Sequence, residues 1–235
     1  MNCQTYQRDC LLGALGAFLM LIGDLCLSVI PAHPGDSGLF AREAYLSGAW
    51  ETWRLPLLMV TGLTGMALGF FTVRASVQQI LPEYRKTRRA VLIGGVIYVA
   101  TAGALHFFIG SLADWTTTLA PLLGRGETTA LIQAQYSRLR PAMLIAYVGM
   151  VLMILASFFA VLTKKTILPR GMAAVHMLVF QIVLVLIPDI RQALGADVST
   201  WDFVLSQGSG NAALCIWMLE NAVWAIIQRK KEHCT

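Results

Sequence analysis

Six stretches of the chain carry few polar side chains: residues 11–30, 57–73, 90–112, 143–162, 172–187 and 211–227. Each is near the ~20 residues that an α-helix needs to cross a hydrocarbon core of about 30 Å. Backbone groups in lipid must be satisfied within the segment, so stretches of this length predict helices rather than strands. None shows the alternation of a membrane barrel. Charges mark the ends: Arg74 closes the second stretch, Arg88 and Arg89 open the third, and Lys164 and Lys165 close the fourth. The second and fifth are short and have room to extend by a turn. The pattern predicts an all-α fold, a polytopic membrane helix bundle of six transmembrane helices in a single integral membrane domain over residues 1–235.

Composition sharpens this. Apolar types make up 57% of the 235 residues and charged types only 13%, with a mean hydropathy of +0.64. A soluble domain carries about a quarter charged residues, so too little polar surface is present for that class. The apolar content also excludes disorder. The first stretch is longer than the ~7–15-residue core of a secretory signal and carries Asp24, so it is expected to be retained as a span. Cys3, Cys10 and Cys234 fall on the side of the N-terminus, and Cys26 and Cys215 fall within spans. No disulfide framework is expected.

Charge then orients the spans. With the N-terminus cytoplasmic, the inner side holds Arg8, Arg74, Arg85, Lys86, Arg88, Arg89, Lys164, Lys165, Arg170, Arg229, Lys230 and Lys231. The outer side holds Arg42, Arg54, Arg125, Arg138, Arg140 and Arg191 together with most of the acids, and no Lys. The positive-inside rule therefore predicts both termini inside, an N-in/C-in arrangement, most simply in a bacterial inner (plasma) membrane. The net charge of +5 reads as topology and as attraction to anionic lipid. It is not a nucleic-acid footprint, and no nucleic-acid partner is expected.

Long outer loops are expected at 31–55, 113–140 and 188–207. Two of them contain short amphipathic segments, Asp36 to Leu46 and Glu127 to Leu139, that predict interfacial helices. Trp50, Trp53, Trp115, Tyr136 and Trp201 fall outside the spans, where an aromatic belt belongs. Gly13, Gly16 and Ala17 in span one, Gly62, Gly65 and Gly69 in span two, and Gly103 and Gly110 in span three predict close helix packing within the bundle.

Candidate chemistry lies in the polar residues at membrane depth, because an ionisable side chain there costs ~2.5–3.5 kcal/mol on insertion. Asp24, His106 and Asn211 lie about 20–26 Å up their spans from the inner side. Arg54, Asp189 and Arg191 sit at the outer rim above them. Glu220 and Gln181, with Asn221 beside Glu220, lie lower, at about 12–15 Å, as a floor. Trp217 and Trp224 flank Glu220 and Asn221 as an aromatic wall. The functional reading is a polar, aromatic-lined pocket open to the outside. The competing reading is a set of interhelical polar contacts that only lock helices together. His176 lies about 8 Å from the inner end of its span and is expected to reach the headgroups. Gly208-Ser209-Gly210-Asn211 is expected to form the entry to span six, with Asn211 as its cap.

Several chemistries are excluded. His106 and His176 differ in depth by about 16 Å, too far for one haem iron. HExxH, GxSxG, Walker A and GxGxxG are absent. No cofactor and no metal site are expected. Gly23-Asp24-Leu25, Trp53-Arg54 and Ala104-Leu105-His106 resemble an uncharacterised family of bacterial six-span integral membrane proteins. That resemblance implies the fold and no activity. The function expected is binding, sensing or transport of a small amphipathic or lipid-like molecule, with the bilayer as the other partner. The alternative is an intramembrane enzyme with Asp24 and His106 as the candidate acid/base pair on a lipid-soluble substrate.

Overall fold

The computed structural model describes residues 2–36, 40 and 42–233. The fold is all-α. Its helices are α1 (Cys3–Ser28), α2 (Glu43–Leu46), α3 (Arg54–Gln78), α4 (Arg85–Leu123), α5 (Arg125–Leu162), α6 (Met177–Ala193) and α7 (Thr200–His233), with a 3-10 turn at Arg170–Val175. Six of them, counting that turn with α6, are long and apolar enough to cross a membrane.

One face of the bundle carries the start of α1, the α3–α4 and α5–α6 connections and the end of α7; we term it the terminal face. There Asp9 of α1 is buried and paired with Arg74 of α3 at 2.9 Å, and an isolated β-bridge joins Ile80 to Thr166. The other, distal face carries residues 29–36, 40, 42–53, Gly124 and 194–199. Within the bundle α1 packs on α3 and α7, α3 on α4, α4 on α5, and α6 on α7, whereas α5 and α6 barely touch.

Glycine sets two of these crossings. A Cβ on Gly16 of α1 would lie 2.8 Å from the Gly65 carbonyl oxygen of α3, and one on Gly65 would lie 2.7 Å from that of Gly16. Gly94 of α4 and Gly149 of α5 meet in the same way, at 2.6 and 2.8 Å. Backbones this close leave no room for a side chain, which is how small residues bring membrane helices together. The Gly65–Gly69 repeat is thus used within the molecule at Gly65.

The distal end of α1 is closed by side chains. A helix leaves its last carbonyls without backbone donors. Here the Trp50 indole donates to Cys26 O at 3.0 Å, the Tyr45 hydroxyl to Leu27 O at 2.7 Å, Arg54 to Val29 O at 2.9 Å, and Arg42 and Thr200 to Ile30 O at 2.8 and 3.0 Å. Cations also suit the negative end of the helix dipole. Arg42 is fully buried, stacked 3.8 Å over the Phe203 ring and 3.9 Å from Asp36. Burial draws its pKa below the usual guanidinium value, opposed by Tyr45 and Asp36. Trp50, expected in the aromatic belt, is instead 1% exposed, because its N–H is taken up by this cap. Trp53, Trp115 and Trp201 are exposed.

The helices run further than the hydropathy pattern indicates. Residues 113–140 are not a loop: α4 and α5 continue as a helical hairpin that reverses at Gly124, whose φ of +82° favours glycine. The expected helix from Glu127 lies inside α5. Pro141, which lacks the N–H for the carbonyl four residues back, sits within α5 without ending it. Of the segment Asp36 to Leu46, only Glu43–Leu46 is helical, and residues 37–39 and 41 lie outside the described residues.

The helix expected from 211 begins at Thr200. Ser199 and Asp202 cap it: the Ser199 N–H and hydroxyl donate to Asp202 Oδ2 at 2.7 and 3.0 Å. Gly208-Ser209-Gly210-Asn211 is therefore helix interior and not a cap. Packing on α1 outweighs the propensity cost of about 1 kcal/mol per glycine. A Cβ on Gly208 would stand 2.9 Å from Leu21.

Candidate functional site

Asp24 lies one turn before the distal end of α1, on the side that faces α7. Asn211 of α7 donates its Nδ2 to Asp24 Oδ2 at 2.7 Å in a buried contact. His106 of α4 brings its Nε2 to 3.9 Å from Asp24 Oδ1, within ion-pair range but beyond a direct hydrogen bond. Glycines on α1 and α3 make space for the imidazole. A Cβ on Gly62 would lie 3.1 Å from that of His106, and one on Gly23 would lie 3.6 Å from His106 Nδ1.

These three side chains border a cavity of about 280 Å³. Its polar lining also includes the phenols of Tyr98, Tyr136 and Tyr147 and the amides of Gln181 and Gln207. Leu105, Ile109, Met143, Ala146 and Met150 form an apolar wall. Gln207 Oε1 is buried without a hydrogen-bond partner. Among the described residues, no Lys or Arg lines the cavity. Little in the chain's pattern points to the tyrosines or to Gln207. Tyrosine scores as apolar, so Tyr98 and Tyr147 pass for ordinary span residues, and Gln207 lay in an expected loop.

The other candidates lie elsewhere. Arg54 belongs to the α1 cap and also pairs with Glu51 at 3.2 Å. Asp189 is exposed on α6. Arg191 pairs with Asp202 at 3.4 Å. Glu220 and Asn221 form no floor to the cavity. A helix turns about 100° per residue, so Glu220, nine positions after Asn211, stands on the opposite side of α7. It is half-buried there, and its Oε2 has no hydrogen-bond partner. Asn221 accepts from the Tyr6 hydroxyl at 2.7 Å and donates to Trp217 O at 2.7 Å.

Trp217 is fully buried against His176, with ring centroids 4.5 Å apart, and does not line the cavity. His176 is itself fully buried, against the expectation that it reaches outward to the headgroups. The Leu178 N–H donates to its Nδ1 at 3.2 Å, and its Nε2 lies 3.1 Å from Ser157 Oγ. An acceptor at Nδ1 places the proton of the neutral ring on Nε2. The ring therefore donates to Ser157, whose hydroxyl donates to Ile154 O at 2.9 Å. A base that would activate a serine has to accept its proton, so this Ser–His contact is a structural lock. No group of three His, Cys, Asp or Glu side chains able to hold a metal ion occurs among the described residues.

A family model described as a family of unknown function (DUF6796) matches residues 1–219. The chain belongs to that family. The match takes in Asp24, His106, Gln207 and Asn211 and ends one residue before Glu220. No curated protein and no solved structure matches the chain.

Proposed function

We propose that this member of the family is a six-span protein of the bacterial inner membrane, forming a single membrane domain with both termini cytoplasmic. Its cavity opens toward the outer side and binds, senses or transports a small amphipathic or lipid-like molecule. Arg74, Arg85, Lys86, Arg88 and Arg89 and the Lys164–Lys165 pair on the terminal face support this orientation. The observation that carries the reading is the meeting of Asp24, His106 and Asn211, from three helices, in a cavity whose remaining wall is largely apolar. A concave apolar site with a few convergent polar groups is the form that small-molecule sites take. Intramembrane ionisable groups mark such sites because structural contacts alone return little of their insertion cost.

The test is a cysteine at Ser206, an exposed position on the cavity rim, in a chain whose native cysteines are replaced. A membrane-impermeant thiol reagent added to intact cells should label it, and a lipid extract of the host membrane should slow the labelling in reconstituted vesicles. Labelling only in inverted vesicles would contradict the orientation. Labelling unaffected by lipid would contradict the binding.

The 3.9 Å approach of His106 to Asp24 favours a second reading, an intramembrane enzyme. One bridging water would let the carboxylate orient the imidazole for proton transfer to a lipid-soluble substrate.

A further inference from the structure

We propose that the cavity takes the head of a single-chain amphiphile that donates hydrogen bonds, an amine or an alcohol, while its alkyl chain lies in the cleft between α5 and α6. This rests on the binding reading above and adds the chemistry of the head and the route of the tail.

Two acceptors beside the cavity are open to the head. Asp24 Oδ2 is taken by Asn211, but Oδ1 faces only the distant His106 Nε2 at 3.9 Å. Gln207 Oε1 is buried with no partner. A buried acceptor left unmade costs about 1–3 kcal/mol, and a donor from the ligand removes that cost. A phosphate or carboxylate head would meet Asp24 with no Lys or Arg among the described lining residues to balance it. An ammonium would gain a charge-assisted bond to Asp24.

A seam in the bundle gives the tail its route. Next to the polar cavity lies a cleft of about 370 Å³, walled by Val151 and Leu155 of α5 and Ile182, Val185 and Leu186 of α6. Met150 and Gln181 line both spaces, so the two adjoin at these side chains. Consecutive helices of a bundle normally close on each other, yet α5 and α6 barely touch. The wall is apolar and exposed on the lipid side. From Leu178 to Leu186 it runs about 12 Å along α6, which suits one chain in extended form. Only the Met150 and Gln181 side chains are common to the two walls, which puts the head site and the cleft within reach of one molecule.

The test uses octadecylamine with a diazirine in its chain, added to the full-length protein in phosphatidylcholine vesicles and photolysed. Saturable cross-links are expected within 151–155 and 182–186. Octadecylamine and octadecanol should compete and octadecanoate should not. Asp24→Asn should lower capture of the amine by about tenfold, the scale of one charge-assisted hydrogen bond. Val185→Trp, on the exposed cleft wall and away from Asp24, should remove the cleft cross-links. Capture confined to Met143 and Tyr147, with none in the cleft, would overturn the tail route and leave the binding reading standing. Equal competition by octadecanoate would overturn the donor head. Unsaturable labelling spread equally over Val60, Leu63 and Phe70 of α3 would mean surrounding lipid only, and would overturn both the inference and the binding reading.

Discussion

Asn211 donates to Asp24 at 2.7 Å although 187 residues separate them in the chain. The contact joins α7 to α1 at the level of the cavity. Among the described residues it is the one direct hydrogen bond to the Asp24 carboxyl group, so the partner's loss should be felt there first. Asn211→Ala is expected to lower stability by about 1–3 kcal/mol, the range for a buried acceptor that loses its donor. Asp24→Asn in the same background should recover part of that, since an amide is easier to leave unpaired than a carboxylate. Equilibrium unfolding of the two single variants and the double variant checks this. Additive effects would show that the two side chains are not coupled.

The glycine crossings give a sharper contrast. Gly65→Leu places side-chain atoms where the Gly16 backbone lies and should separate α1 from α3, with a loss of several kcal/mol or failure to fold. Gly126→Ala, where nothing stands within 4 Å, should be neutral or slightly stabilising in its helix. Thermal unfolding in detergent measures both.

Ser157 should behave as a packing residue. Ser157→Ala removes two buried hydrogen bonds, the one from His176 and the one to Ile154 O, and is expected to cost about 1–3 kcal/mol, the scale of a buried donor left without an acceptor. A fluorophosphonate reagent should leave Ser157 unmodified in the wild-type protein, because His176 donates to its oxygen and does not accept its proton. Mass-spectrometric detection of a Ser157 adduct would contradict the tautomer derived from the Leu178 N–H contact.

On the distal face, Arg125 forms a two-pronged ion pair with Glu43, tying the first distal loop to the α4–α5 hairpin. The hydrogen bonds from Arg125 hold the Glu43 pKa below the usual glutamate value. A depressed acid contributes stability that is fully present above the unfolded value of about 4.3 and is lost as pH falls through the folded value. Spin labels at Ser47 and Gly126 should therefore keep a narrow distance distribution at pH 7 that broadens as the pH is lowered below about 4. Glu43→Gln should be broad at both values. A narrow distribution in the Gln variant would show that the pair does not hold the loop.

Much of the fold was legible because apolar length is a strong signal, and each of the six stretches lies at least in part in a helix long enough to span. The ends of those helices were less legible. Hydropathy marks where lipid stops, whereas a helix stops where its hydrogen bonds stop. The polar residues 113–140 and 200–210 therefore read as loops although their backbones stay helical. The depth of Asp24, His106 and Asn211 could be counted along the chain, and those side chains do meet. The side of the helix could also have been counted, and it separates Glu220 from Asn211 on α7. Trp217 and His176 were misplaced for a different reason: their partnership joins α6 to α7, and nothing local in the sequence reports it. The Ser199–Asp202 cap had a local signal, a Ser three residues before an Asp. It was masked by the glycines that follow, which look like a break and serve as a close approach to Leu21.

The cavity beside Asp24 is proposed as a binding site. Gly210 tests it most directly. It lines the cavity, and a Cβ there meets only Gln181 Nε2, at an ordinary 3.6 Å. Gly210→Leu should therefore fill the space without disturbing the bundle, and it exchanges a poor helix former for a good one. Native mass spectrometry of gently extracted protein should show a bound amphiphile of one-to-one stoichiometry on the wild type and on Glu220→Gln, and none on Gly210→Leu of equal or higher thermal stability. The same adduct on Gly210→Leu, or none on a folded wild type, would contradict the claim.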